Sequence, residues 1–165
     1  MTGRLRKPLM AVHIIASVGL LGSSSALLMV AVTAASTSDA QLAHSAYRLM
    51  ETQTLVFGIP LSFIALLSGL GMGLVTKWGV LRYWWTTAKL ALLVLTIVCG
   101  ALLIGPAIDA RLRGDGSEWG LVAGVGANVL MLTSAATISV FKPGGRLRKA
   151  AASSGNDSAR SVFTG

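Results

Sequence analysis

This sequence predicts an all-α fold, an integral membrane four-helix bundle with both termini cytoplasmic and the second helix extended outside the membrane. Three observations carry the prediction. Four apolar stretches of bilayer length divide the 165 residues. None of them alternates in polarity with the two-residue period of a strand. The cationic residues fall almost entirely on alternate sides of the stretches.

The stretches run from about Leu9 to Val32, Leu55 to Val75, Trp84 to Ile108 and Trp119 to Phe141. At ~1.5 Å of rise per residue each covers the ~30 Å hydrocarbon core. Lipid offers no partner to a backbone N–H or C=O, so only helices and closed barrels cross it. Barrel strands need ~10 alternating residues, and these segments are longer and evenly apolar. Arg4, Arg6 and Lys7 ahead of the first stretch give it the look of a secretory leader. Its apolar run of 24 residues exceeds the ~7–15 of a leader core, and a retained helix is expected.

Eleven of the 14 Lys and Arg residues lie in the N-terminal tail, in the turn between the second and third stretches with Lys89 just beyond it, or in the C-terminal tail. Arg48, Arg111 and Arg113 make up the rest. Cationic loops stay on the cytoplasmic side, which places both termini there, in a multi-pass protein of the cell membrane. The net charge of +8 is then mainly an anchor to the anionic inner leaflet, whose lipids are the expected partners. A nucleic-acid partner is not expected, because the chain has no room for a folded basic surface or an aromatic platform. Residues 1–142 form the transmembrane domain. Residues 143–165, rich in Gly, Ser, Ala and Arg, are expected to be a flexible cytoplasmic tail.

The connection between the first two helices is patterned. Ser38 and Asp39 suit an N-cap, and Leu42, Ala46, Leu49, Met50 and Gln53 follow near helical spacing beside polar Gln41, His44, Arg48 and Glu51. The second helix is expected to start outside the membrane and run inward to Val75, kinked near Val56 to Pro60 where proline removes a backbone donor. A separate interfacial helix is the alternative.

Small residues recur at the spacing that lets helices approach closely in lipid. They are Ala16, Gly19, Ser23 and Ala26 in the first helix, Ala65, Gly69 and Gly73 in the second, Thr96 and Gly100 in the third, and Gly120, Gly124 and Ala127 in the fourth. Internal packing is the expected use, and contact with a second copy or another membrane protein is the alternative. Cys99, the single cysteine, reads as packing.

Polar groups at membrane depth are candidates for function. His13 lies about one turn inside the cytoplasmic boundary, where it could bind haem or metal, relay a proton, or hydrogen-bond a neighbouring carbonyl or hydroxyl. His44, the other histidine, belongs to the outer side, so one haem cannot take both. Asn128 sits near the middle of the fourth helix and is expected to bond across to Thr96 or to Ser23–Ser25. Lys89 is expected to snorkel towards the cytoplasmic surface.

The segment from Lys77 to Trp85 mixes Trp78, Arg82, Tyr83, Trp84 and Trp85 at headgroup depth, as an aromatic belt does. With His13 and Lys89 at the same level, it could also form a basic, aromatic-lined pocket for a lipid headgroup or a carboxylate. The run KWGVLRYWWTTAKLALLVL from Lys77 and the opening RLRKPLMAVHIIASVGLLGS resemble a family of small predicted integral membrane proteins of unknown function, common in high-GC Gram-positive bacteria. The resemblance spans most of residues 4–108. It implies four spans, an early histidine at His13 and a motif made of Trp78, Gly79, Arg82, Trp85 and Lys89, and it implies no activity. The chain departs from it at Leu20 and Leu21, where many relatives carry an aromatic. A looser similarity to copper-resistance-type membrane proteins makes a metal or haem role thinkable.

No nucleophile elbow, zinc-binding histidine pair or phosphate-binding loop occurs, and Asp39, Glu51, Asp109, Asp115 and Glu118 all fall outside the membrane. The chain is expected not to be an enzyme and no cofactor is expected, with haem on His13 as the open alternative. The leading functional reading is a scaffold or accessory subunit acting through helix packing. A module binding haem, metal or a lipid through His13, Trp78, Arg82, Trp85 and Lys89 is the first alternative, and a small transporter the second.

Overall fold

The computed structural model describes residues 2–75 and 84–141, and they form four helical rods. The first rod is α1 (Thr2–Ser36). The second joins α2 (Ala40–Gln53) to α3 (Ile59–Val75) through a π-helical turn at Thr54–Gly58. The third joins α4 (Trp84–Cys99) to α5 (Gly105–Leu112) through a second π turn at Gly100–Ile104. The fourth is α6 (Glu118–Phe141). All four are long and apolar enough to cross a membrane.

Each rod packs on its sequence neighbours and the fourth closes back on the first. This up-and-down arrangement has two ends. The terminal end carries the start of α1 and the end of α6, and the loop end carries residues 37–39 and 113–117.

The second helix is continuous from Ala40 to Val75, with its distortion where a proline interrupts the backbone ladder. Ile59 N–H bonds to Thr54 O, five residues back, and Pro60 follows. The third rod repeats the device, with Gly105 N–H bonded to Gly100 O just ahead of Pro106. A proline ring clashes with the carbonyl four residues back, and the wider turn absorbs the misfit. The sequence reading places the first distortion and misses the second.

Local chemistry fixes the loop end. Asp39 caps α2, its carboxylate accepting from Gln41 N–H at 2.9 Å and Leu42 N–H at 3.2 Å. Asp115 N–H bonds to Ala110 O and Gly114 N–H to Arg111 O, with Gly114 at φ 84°, so α5 ends in a Schellman motif that needs glycine. Ser117 Oγ then accepts from Gly120 N–H to start α6. Arg111 ties this corner together. Its guanidinium lies 5.4 Å from the Tyr47 ring centroid, pairs with Glu118, and donates to the carbonyls of Asp115 and Gly116.

The apolar core sits at the loop end. Leu27, Ala31 and Ala34 of α1, Ala46, Tyr47 and Met50 of α2, Ile104, Ile108, Leu121 and Val125 form one buried cluster. The outward faces of the rods are apolar as well. Val18 is 66% exposed, Leu67 65% and Leu130 68%, a surface that suits lipid and not water.

Candidate functional site at the terminal end

The site begins with a small residue. Gly69 of α3 lets the His13 ring lie against its backbone, where an added Cβ would stand 3.1 Å from the ring Cε1. Close approach of this kind is what small residues provide in lipid. It brings His13 Nδ1 to 3.0 Å from Ala65 O and 3.1 Å from Ser68 Oγ.

These contacts settle the tautomer. A carbonyl oxygen only accepts, so Nδ1 must carry the proton. The Ser68 hydroxyl donates to its own helix, to Ile64 O, and offers His13 a lone pair. In the neutral ring Nε2 is therefore the basic nitrogen. Ligating and proton-accepting histidines are held in the same way, by one N–H bonded to a carbonyl.

Lys89 of α4 supplies the second group. It is half-buried, and its Nζ donates to Ser139 Oγ of α6 at 2.9 Å. The bond forms because α4 and α6 run antiparallel with Ser139, two residues from the end of α6, opposite Lys89. Leu28 of α1 meets Gly126 of α6, and counting back along the two antiparallel helices sets His13 level with the end of α6, near Ser139 and so near the level of Lys89. The lysine's partner is a neutral hydroxyl. The carboxylates among the described residues, Asp39, Glu51, Asp109, Asp115 and Glu118, belong to the loop end or its approaches.

Trp85 is half-buried one turn before Lys89. Trp78 and Arg82, the other residues of the expected pocket, lie outside the described residues, as does the tail from residue 142 onward. His44 is exposed on α2 near the loop end, far along the bundle from His13. Among the described residues no three of His, Cys, Asp and Glu come together as a metal-binding group.

Asn128 does not make the bond expected of it. Its Oδ1 is buried without a hydrogen-bond partner among the described residues, and so is Thr96 Oγ1. The expected serines are engaged elsewhere. Gln53 Nε2 donates to Ser23 O at 2.7 Å and lies 3.3 Å from Ser23 Oγ, while Ser25 Oγ donates to Leu21 O. Gln53 of α2 takes Ser23, one of the partners expected for Asn128.

The small residues mostly face inward. Gly19 meets Leu61, Gly71 meets Leu9 and Gly124 meets Ile104, while Ala16 and Ala65 are fully buried. Ala26 and Ala127 are exposed, and nothing approaches Gly100 within 4 Å.

A family model described as predicted integral membrane protein (DUF2269) matches residues 8–117. The match takes in the first three rods with His13 and Lys89, and stops before α6. No curated protein and no solved structure gives a significant match.

Proposed function

The chain belongs to the predicted integral membrane protein family DUF2269, and from that premise we propose that it is a non-enzymatic membrane module that holds an anionic group at the terminal end of its bundle. The observation that carries this reading is Lys89. A half-buried ammonium costs free energy unless it is paired, and a serine hydroxyl is its one hydrogen-bond partner among the described residues. A phosphate or carboxylate entering beside it would complete the charge, with His13 Nε2 and the Trp85 ring as its neighbours. The membrane supplies such groups in its anionic lipids. On the charge distribution in the sequence, the termini lie in the cytoplasm and this end of the bundle faces the anionic leaflet of the cell membrane.

The test is thermal unfolding of the purified protein in neutral detergent. Dioleoylphosphatidylglycerol should raise the midpoint and dioleoylphosphatidylcholine should not, and Lys89→Gln should lose most of the difference. Free glycerol phosphate, added separately, distinguishes a site for the headgroup alone from one that needs the acyl chains. Equal responses to both lipids, or an undiminished response in Lys89→Gln, would reject the reading.

Haem on Nε2 is the competing occupant, since the Nδ1 geometry suits a ligand histidine. A Soret band in protein purified from native membranes would favour it. The scaffold or accessory-subunit reading has less support, because the glycines that could have joined a second chain are mostly used inside the bundle.

A further inference from the structure

The buried residues divide by depth. Every buried residue of the apolar cluster lies at or beyond Leu27 on the loop-end side. The four buried polar residues among those described, Ser24, Ser62, Ser68 and Thr96, all lie on the terminal side of that cluster. The remaining buried apolar residues there are Ala16, Leu20, Ala65 and Leu132, and none joins the cluster. One half of the bundle has an apolar centre, and in the other the buried serines and Thr96 stand among alanines and the buried Leu20 and Leu132.

Three buried side-chain oxygens lack a partner among the described residues, Thr86 Oγ1 near Lys89, Thr96 Oγ1 and Asn128 Oδ1, and antiparallel register places the last two. Lys89 meets Ser139 and Ile104 meets Gly124 across α4, its continuation and α6. Counting evenly between those two contacts puts Thr96 level with Leu132 and Asn128 level with Gly100. Thr96 is 3% exposed, yet its Oγ1 has no partner among the described residues, and Asn128 Oδ1 is in the same condition. A threonine in a helix normally satisfies itself on the carbonyl four residues back, as Thr133 and Thr137 do. A buried polar atom left unpaired costs about 1–3 kcal/mol. Two in succession, one to two turns apart, are better explained by a hydrated interior than by a dry one.

We propose that the terminal half of the bundle is a one-sided hydrophilic path. It opens beside His13 and Lys89, passes Thr96, ends at Asn128, and is closed towards the loop end by the plug of Leu27, Met50, Ile104 and Val125. The path admits water and small hydrophilic solutes. The Lys89 ammonium at its mouth favours anionic ones over cationic ones. Polar groups and interrupted helices near the middle of the membrane are how small-solute carriers build a binding site, and here both π turns lie close to the level of Asn128. This inference does not depend on lipid binding at Lys89. A chain that fails the phosphatidylglycerol test can still hold the path.

The experiment is cysteine accessibility in a Cys99→Ala background. Thr96→Cys, Asn128→Cys and, as the plug control, Ile108→Cys are each reconstituted in sealed vesicles. Membrane-impermeant methanethiosulfonates are added to one face at a time. Thr96→Cys and Asn128→Cys should react from the face bearing the termini at least tenfold faster than Ile108→Cys, and should be silent from the opposite face. At Thr96→Cys the sulfonate-bearing reagent should outpace the ammonium-bearing one, and Lys89→Gln should remove that preference. If either variant fails to reach the membrane, native Cys99, one turn beyond Thr96, is read in the unsubstituted chain and should react from the same face. No reaction at any of these thiols, or equal reaction from both faces, would overturn the path.

Discussion

At the scale of single residues, the His13 ring separates holding from chemistry. Its Nδ1–H ties α1 to α3 through Ala65 O and Ser68 Oγ, and Nε2 is left for other work. An asparagine amide places a donor where Nδ1 stands and has nothing at the Nε2 position. We expect His13→Asn to unfold within a few degrees of the native chain, whereas His13→Ala inserts but loses an interhelical bond worth about 0.6–1.7 kcal/mol. Thermal denaturation in detergent measures both. A midpoint for His13→Asn as low as that for His13→Ala would show that the ring acts by packing. That His13 and Lys89 sit at one depth was readable in the sequence, because charge and apolar length set the boundaries. Their partners were not. Ala65 contributes only a carbonyl, which no residue type advertises, and Ser139 becomes the lysine's partner through a register between α4 and α6 that one sequence does not encode visibly.

At the scale of elements, Arg111 closes the loop end. It engages the Tyr47 ring, the Glu118 carboxylate and two loop carbonyls, so one side chain joins α2, α5 and α6. The planar guanidinium reaches all of them at once, which an ammonium cannot do. Arg111→Ala should destabilise the bundle by about 2 kcal/mol, and Arg111→Lys should recover less than half of that, as read by thermal unfolding in detergent. Full recovery by lysine would reduce the residue to a point charge. By contrast Arg48 and Glu51 pair at 3.2 Å on an exposed face, and their loss should be nearly silent. The cap at Asp39, the continuous second helix and its distortion before Pro60 were legible, since each follows from a local rule. The twin distortion before Pro106 follows the same rule, but there the proline is set within a long apolar stretch that reads as unbroken.

At the scale of the whole molecule, the cationic residues make orientation testable. In the Cys99→Ala background, single cysteines at Thr2 and Ser158 should be unreactive to an impermeant maleimide added to intact cells, while cysteines at Ser38 and Ser117 should react. Labelled tails would invert the assignment and with it the leaflet proposed to meet Lys89. Four rods were legible because lipid permits so few backbones. The division of the interior into an apolar half and a half that holds the buried serines and Thr96 was not, because it depends on which face of each rod turns inward. That division has a thermodynamic consequence. The apolar cluster lies where α2 carries exposed Gln41, His44 and Arg48, so part of it is surrounded by aqueous solvent and draws on the hydrophobic effect. The opposite half gains nothing from exchanging hydrocarbon for hydrocarbon. Urea and cooling should therefore loosen the bundle from the loop end first, with a heat-capacity change far smaller than that of a soluble domain of equal length.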